Sequence, residues 1–341
     1  MKILSLIVPS YNSERYLDKC IPSFFAEGIL DKLDIIIVND GSTDGTAETA
    51  EKYCRRYPGS VRLISQENKG HGGALNTGFA AAKGKYLKPV DADDWVETQN
   101  MPRFLELLEG CESDVVLTHY NTVDAVTGEI CKFKSYPAQF GTPMTMDQVM
   151  ADWRSFFRAM TFHGIAYNTT FYHTHGIRLS EHVFYEDNEY ATFPSSRAQT
   201  VTAFDLFVYD YRVGDVNQSI SLANQIKRLG QLETVVCRMM REYNTLPEGA
   251  GKGYAAMKTQ GVLLSYVNLA LLAHPDKKTG RQMAARVMAE SQATAPEIYG
   301  LVLRKYQILT LLSRLHVSKT SWDKFLNSKF YNRLRGSHHI E

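Results

Sequence analysis

The chain has 341 residues, 44% hydrophobic and 22% charged, values that suit a folded globular protein and exclude a disordered one. The net charge of +1 hides an asymmetry: residues 1–215 hold 20 Lys and Arg against 29 Asp and Glu, and residues 216–341 hold 18 against 8. The basic excess is spread thinly, so nucleic acid is not an expected partner; an anionic surface, or simple segregation of charge between two domains, remains.

Five scattered cysteines with no C-x-x-C pair argue against a disulfide framework or structural zinc and fit a reducing cytoplasm. The first apolar run, "ILSLIVPS", is too short for a signal peptide and breaks at Pro9. It reads as a strand, followed by a helix from Ser13 to about Phe25. "DIIIVND" is a second β-branched run, after which Ser42 or Thr43 can cap a helix reaching about Tyr57. "VRLIS", a helix through "GGALNTGFAAAKG" closed by Gly84, and "KYLKPV" complete the alternation. Strands apolar on both faces, alternating with helices, predict a mainly parallel sheet covered on both sides, whose ligands bind beyond the carboxyl ends of the strands. Those ends carry Ser10-Tyr11-Asn12, Asn39-Asp40-Gly41 and Asp91-Ala92-Asp93-Asp94.

From Asp114 the pattern changes to two strands around Thr127-Gly128, a helical piece near 145–153, a helix through "EDNEYATFPSSRA" and an aromatic strand "TVTAFDLFVYDYRV". After Asp215 the chain reads as helical. Its longest uncharged apolar stretch, residues 259–273, is shorter than the roughly 20 residues of a membrane span and predicts a buried helix. The expected organisation is a domain over 1–215, a helical region over 216–335 and an appended tail over 336–341.

Three carboxylates within four residues, at Asp91, Asp93 and Asp94, repel one another unless the turn is solvated or a cation sits among them. A dinucleotide fold needs G-x-G-x-x-G after the first strand, where this chain has no glycine, and G-x-x-x-x-G-K-[ST] is absent. The remaining option is a divalent cation, held by one or two carboxylates and bridging the phosphates of a nucleotide diphosphate.

The ordered segments "SLIVPSYNSERYLDKCIPSF", "DIIIVNDGSTDGT", "NKGHGGALNTGFAAAKGKYLKPVDADD" and "EDNEY" resemble family 2 of the glycosyltransferases, inverting enzymes with the GT-A nucleotide-sugar-binding fold. The resemblance covers roughly residues 3–215. It implies that Pro9 and Tyr11 line a nucleobase pocket, that Asp40 accepts a hydrogen bond from the base (uracil by preference), and that backbone at Gly70 approaches the nucleotide, with Asn68 and Lys69 as weaker contacts. It implies Asp93 as principal ligand of Mg²⁺ or Mn²⁺, Asp91 as a ligand or ribose contact, and Asp94 as a loop support or donor-sugar contact. Asp187 is the implied base that deprotonates the acceptor hydroxyl. Glu186 and Glu189 either help orient it or serve the first turn of a helix. Arg212, and less strongly Ser219 and Ser221, fall where the family approaches the diphosphate.

Asp44 reads as a helix-start residue. His173, His175 and His182 offer metal or acceptor contacts, although structural roles are commoner for such histidines. The Q-x-x-R-W motif of processive members is absent, which favours transfer of one sugar per encounter. The expected activity is transfer from a UDP-sugar to a saccharide or lipid-linked saccharide in bacterial surface polysaccharide synthesis. The competing readings are a non-catalytic nucleotide-sugar-binding scaffold and a sugar-phosphate nucleotidyltransferase. Residues 319–335 form a basic amphipathic stripe that suits peripheral contact with the inner face of the plasma membrane, or packing on the domain or a second copy as a homodimer.

Overall fold

The computed structural model describes residues 1–214 and 222–327. Ser219, Ser221 and residues 328–341, including the end of the 319–335 segment, lie outside them. The chain divides into two compact units: Met1–Gln218 with Leu246–Ala255, and Ser219–Thr245 with Ala256–Glu341.

The first unit begins as the alternation predicts: β1 (Leu4–Ser10), α1 (Glu14–Ser23), β2 (Leu33–Asp40), α2 (Thr46–Arg56), β3 (Val61–Gln66), α3 (Gly70–Ala81) and β4 (Tyr86–Pro89). β1 lies between β2 and β4, and β3 pairs on the far side of β2, all in parallel. Every residue of β1 and β2 is buried, as strands covered on both faces must be. Leu6, Val8, Ile35 and Ile37 pack there with Leu17 and Ile21 of α1 and with Phe24 just after it.

Beyond β4 the mainly parallel sheet takes antiparallel strands as well. β5 (Trp95–Val96), α4 (Met101–Gly110), β6 (Val115–Asp124), β7 (Ile130–Phe133) and β8 (Met144–Thr145) are followed by α5 (Met146–Ala151), α6 (Trp153–Phe156), β9 (Ile165–Asn168), α7 (Thr169–Thr174), α8 (Asp187–Thr192) and β10 (Thr200–Val213). The order is β3-β2-β1-β4-β9-β6-β10-β5. β9 inserts antiparallel between β4 and β6, β10 runs parallel to β6, and β5, β7 and β8 are antiparallel additions. The sheet is therefore mixed, with its longest parallel block at β3-β2-β1-β4.

Three local expectations need correction. Neither Ser42 nor Thr43 caps α2: Ser42 Oγ accepts from the Asn12 amide, and Asp44 Oδ1 receives the Thr46 amide at 3.0 Å, the helix-start role read for Asp44. The helix expected through "EDNEYATFPSSRA" is the six-residue α8, followed by a 3₁₀ turn at Ser195–Arg197. α3 ends at Ala81, before Gly84.

The second unit is helical through its described residues: α9 (Leu222–Lys227), α10 (Leu229–Asn244), the later part of α11 (Ala250–Asn268), a π-helical turn at Leu269–Ala273, α12 (Lys277–Thr294), α13 (Pro296–Arg314) and α14 (Lys319–Leu326). Leu232, Val235, Met239, Leu263, Leu271, Val287 and Val302 are buried. Glu233 ties this packing together, accepting two bonds from Arg286 and one from Tyr266. Among the described residues no helix is long and apolar enough to cross a membrane.

Candidate active site

The carboxyl ends of β1, β2 and β4 deliver Tyr11, Asp40 and the Asp91–Asp94 turn. Pro9 is buried in β1, and Tyr11 just beyond it is 54% exposed, a ring available to a ligand. Asn12 adopts a left-handed backbone at φ 49°, and its side-chain oxygen accepts from the Thr43 amide, tying the two strand ends together. Asp40 is buried; its Oδ1 accepts from Gln66 Nε2 at 2.7 Å and from the Lys69 amide at 2.8 Å.

The three aspartates of the β4 turn take different surroundings. Asp94 is buried, accepting from the Tyr209 hydroxyl at 2.6 Å and the Arg212 amide at 2.8 Å, bonds that pin the turn to β10. Burial, then the charges of Asp91 and Asp93, push its pKa well up. Asp93 is also raised, by burial and by Asp91, and faces Arg212 Nη1 at 3.9 Å. The Arg212 guanidinium lies over the Tyr16 ring at 5.3 Å.

Asp91 meets a partner that the sequence reading missed. His71, in the first turn of α3, places Nε2 2.8 Å from Asp91 Oδ1 and Nδ1 2.5 Å from Glu186 Oε1. Both partners are carboxylates, so the ring bridges them as an imidazolium. Burial works against that charge, but Asp91 and Glu186 outweigh it and hold the His71 pKa well above its ordinary value. The bridge spans 20 residues of sequence to Asp91 and 115 to Glu186. Neither spacing is a motif; the only signal was an imidazole among glycines at a helix start.

Glycine explains how Glu186 arrives there. A side chain at Gly72 would put its Cβ 2.1 Å from the Ser180 carbonyl oxygen, and one at Gly70, where φ is +75°, would meet the His182 amide at 2.9 Å. The bare first turn of α3 lets segment 180–186 lie directly on it. Lys69 O accepts from the His182 amide, and Glu189 accepts from both the amide and the hydroxyl of Ser180. His182 and Tyr185 take left-handed φ of 56° and 77°, strained conformations held by these contacts. Gly70 thus makes a protein contact in addition to any ligand approach.

Asp187 opens α8 with an exposed carboxylate, next to the buried Glu186. The Tyr211 phenol lies within electrostatic reach of Asp94, Asp91, Asp93 and Asp187, which add to burial in raising its pKa. Four carboxylates thus address one locality. His163 stacks on Tyr211 at 4.1 Å, and burial pushes its pKa down to about 4. Behind the turn Lys88 is fully buried, its Nζ donating to the His163 and Ile165 carbonyls; burial lowers its pKa to about 7.

The donor set suits a divalent cation. Aspartates are hard oxygen ligands, and the pKa values of Asp93 and Asp94 are raised first by burial and then by the neighbouring carboxylates, a repulsion that a cation would relieve. No group of three or more metal-ligating side chains is assembled among the described residues. Mg²⁺ and Mn²⁺ take one or two carboxylates and complete their shell with phosphates and water. Asp93 is the better-placed ligand, because Asp91 is held by His71. Of the histidines considered from sequence, His173 Nε2 donates to the Phe79 carbonyl and His175 packs on Phe171, both structural roles; His182 contributes its backbone.

The model of glycosyl transferase family 2 matches residues 5–184, more than half of the chain. Among curated proteins, putative glycosyltransferase EpsH of Bacillus subtilis is 36% identical over 126 residues, 37% of this chain and 36% of EpsH. Glycosyltransferase YibD of Escherichia coli is 45% identical over 93 residues, 27% of this chain and 26% of YibD. The chain therefore aligns with about a third or less of these relatives' length.

Among solved structures, residues 1–349 of S. aureus TarS in complex with UDP-GlcNAc superpose with a TM-score of 0.62 at 18% identity, covering 100% of this chain and 94% of that one. The mannosyltransferase PcManGT of Pyrobaculum calidifontis, in complex with GDP-Man and Mn²⁺, gives 0.52 at 17% identity, covering 96% and 87%. These likenesses establish the fold, and the family match establishes membership: the chain belongs to glycosyl transferase family 2.

Proposed function

We propose that this enzyme transfers one sugar, with inversion, from a UDP-sugar to a hydroxyl of a saccharide or lipid-linked saccharide in bacterial surface polysaccharide synthesis. The observation that carries the reading is the His71 bridge, which joins the carboxylate turn after β4 to the segment that presents Asp187. The fold match to TarS, whose structure holds UDP-GlcNAc, supports the choice of UDP and a hexosyl or N-acetylhexosaminyl group. PcManGT, with GDP-Man and Mn²⁺, supports a divalent ion and keeps GDP as the base to test against UDP.

Pro9 and Tyr11 contact the base, Asp40 accepts from its ring N–H, and backbone at Gly70 borders the nucleotide. Asp91 and Asp94 face the ribose and donor sugar, and Arg212 faces the diphosphate. Asp93, with Asp91, holds Mg²⁺ or Mn²⁺, which when bound neutralises the charge that grows on the departing diphosphate. The acceptor oxygen attacks the anomeric carbon from the side opposite the diphosphate. As the new C–O bond forms, the old C–O bond breaks and its electron pair leaves with UDP. The acceptor proton passes to the Asp187 carboxylate. Glu186 and His71 position that base against the turn. Residues 1–215 form the catalytic domain in this reading, and residues 216–335 serve acceptor, membrane-surface or oligomer contacts. Five free cysteines fit a cytoplasmic setting, where segment 319–335 touches the inner face of the plasma membrane or a second copy.

The test is a panel of UDP- and GDP-sugars assayed for nucleotide release with Mn²⁺. Release from one sugar class, abolished by Asp187→Asn while nucleotide binding is kept, is the expected result. Nucleotide binding without turnover on any donor or acceptor would favour the scaffold reading.

A further inference from the structure

We propose that the outer face of α13 is a docking surface for an anionic lipid bilayer. Ile298, Val302 and Leu309 are the buried face of this helix. A different stripe is apolar and open: Leu301 is 54% exposed, Ile308 45%, Leu311 58% and Leu315 66%. Positions 301 and 308 are seven apart and 311 follows 308 by three, so they line one side over about three turns, and Leu315 is the first residue past the helix end. Large apolar side chains gathered in this way differ from the scattered singles of an ordinary surface.

The charges beside the stripe select the occupant. Arg304, Lys305 and Arg314 are exposed and make no ion pair among the described residues. Glu297, the one carboxylate on the helix, is bonded to the Tyr243 hydroxyl, and Asp323 of α14 is paired with Lys319 at 2.6 Å. A second copy meeting it through the same face would bring cations against cations with no carboxylate of α13 or α14 left to answer them. A bilayer with anionic headgroups accepts both features, the leucines entering the acyl boundary and the cations meeting phosphates. α14 starts four residues after Leu315 and adds Lys324 and the stacked Trp322–Phe325 pair, none of whose helix is buried. The proposal deepens the peripheral-contact part of the proposed function and moves its centre from segment 319–335 to α13.

The test is co-sedimentation of the full chain with vesicles of phosphatidylcholine alone and of phosphatidylcholine with phosphatidylglycerol. Two variants accompany it: the combined Leu301→Gln, Ile308→Gln, Leu311→Gln, Leu315→Gln, and the combined Arg304→Gln, Lys305→Gln, Arg314→Gln. All these side chains are exposed, so both variants should melt like the wild type. The expected result is binding to anionic vesicles only, lowered about 100-fold by the charge variant, since three juxtamembrane cations each contribute about fivefold. The apolar variant should also lose it. Binding to neutral vesicles alike, retention by either variant, or a concentration-dependent dimer that the apolar variant abolishes without any vesicle binding would overturn the proposal. Nucleotide binding measured on the same samples keeps this outcome separate from failure of the glycosyltransferase mechanism.

Discussion

Replacing His71 by glutamine removes one ring that serves two carboxylates, and the structure sets the size of the effect. Glutamine can donate to one partner but cannot span both. The Asp91 side chain is 28% exposed, so water recovers much of what that side loses. The Glu186 side chain is only 5% exposed, and its Oε2 has no hydrogen-bond partner among the described residues, so it would be left as a buried carboxylate with little support. A charge-assisted bond is worth about 1.5–3 kcal/mol, and an orphaned buried charge costs more, so His71→Gln should lose about 2–4 kcal/mol near pH 7.

The pH dependence carries a sign. The folded-state pKa of His71 is raised, so its stabilisation is complete below the ordinary value near 6.5 and is lost as pH rises through the folded value. The gap between wild type and variant should therefore shrink above pH 7, by at most about 1.4 kcal/mol per unit. Urea unfolding at pH 7.0 and 8.5, with a chelator present so that no metal competes for Asp91, measures it. A gap that stays constant or widens over that interval would refute the imidazolium bridge.

Lys88 gives the opposite slope. Its folded pKa is lowered to about 7, so the unfolded chain holds an extra proton between about pH 7 and 10.4, and stability from this group rises with pH across that window. Lys88→Met should abolish that rise in thermal melts taken between pH 7 and 9.5, and an unchanged slope would mean that the lysine stays charged when buried. Gly72→Ala should destabilise by about 1–3 kcal/mol, because its Cβ would stand 2.1 Å from the Ser180 carbonyl oxygen; a denaturation midpoint equal to wild type would contradict the close packing of segment 180–186 on α3. Asp187→Asn should lower kcat by about 10²–10⁴-fold with little change in nucleotide affinity, and a fall in affinity with kcat kept would assign the carboxylate to binding instead.

Much of the first unit was legible because its signals are local. Short apolar runs announced β1 and β2, strands of seven and eight residues, and the 14-residue aromatic run was β10 to the residue. The carboxylate turn stood out by its charge density. β9 was not legible, because a four-residue strand held by pairing with β4 and β6 has no period of its own, and its antiparallel insertion makes the sheet mixed. The His71 bridge was invisible for a related reason: its partners are brought together by glycines that clear space for a distant segment, and no spacing records that. Lys88 did leave a trace, a lysine between Tyr86 and Val90 in an apolar strand, which marks a buried amine whose donors are taken by carbonyls.

The central claim is that the carboxylate turn after β4, Asp93 above all, completes a nucleotide diphosphate site with a divalent ion. Calorimetric titration of UDP into the wild type and Asp93→Ala, each with and without Mn²⁺, tests it most directly. The account predicts binding that needs Mn²⁺ in the wild type and is lost in the variant even when Mn²⁺ is present. UDP binding of equal strength with and without the metal, unchanged by Asp93→Ala, would contradict it.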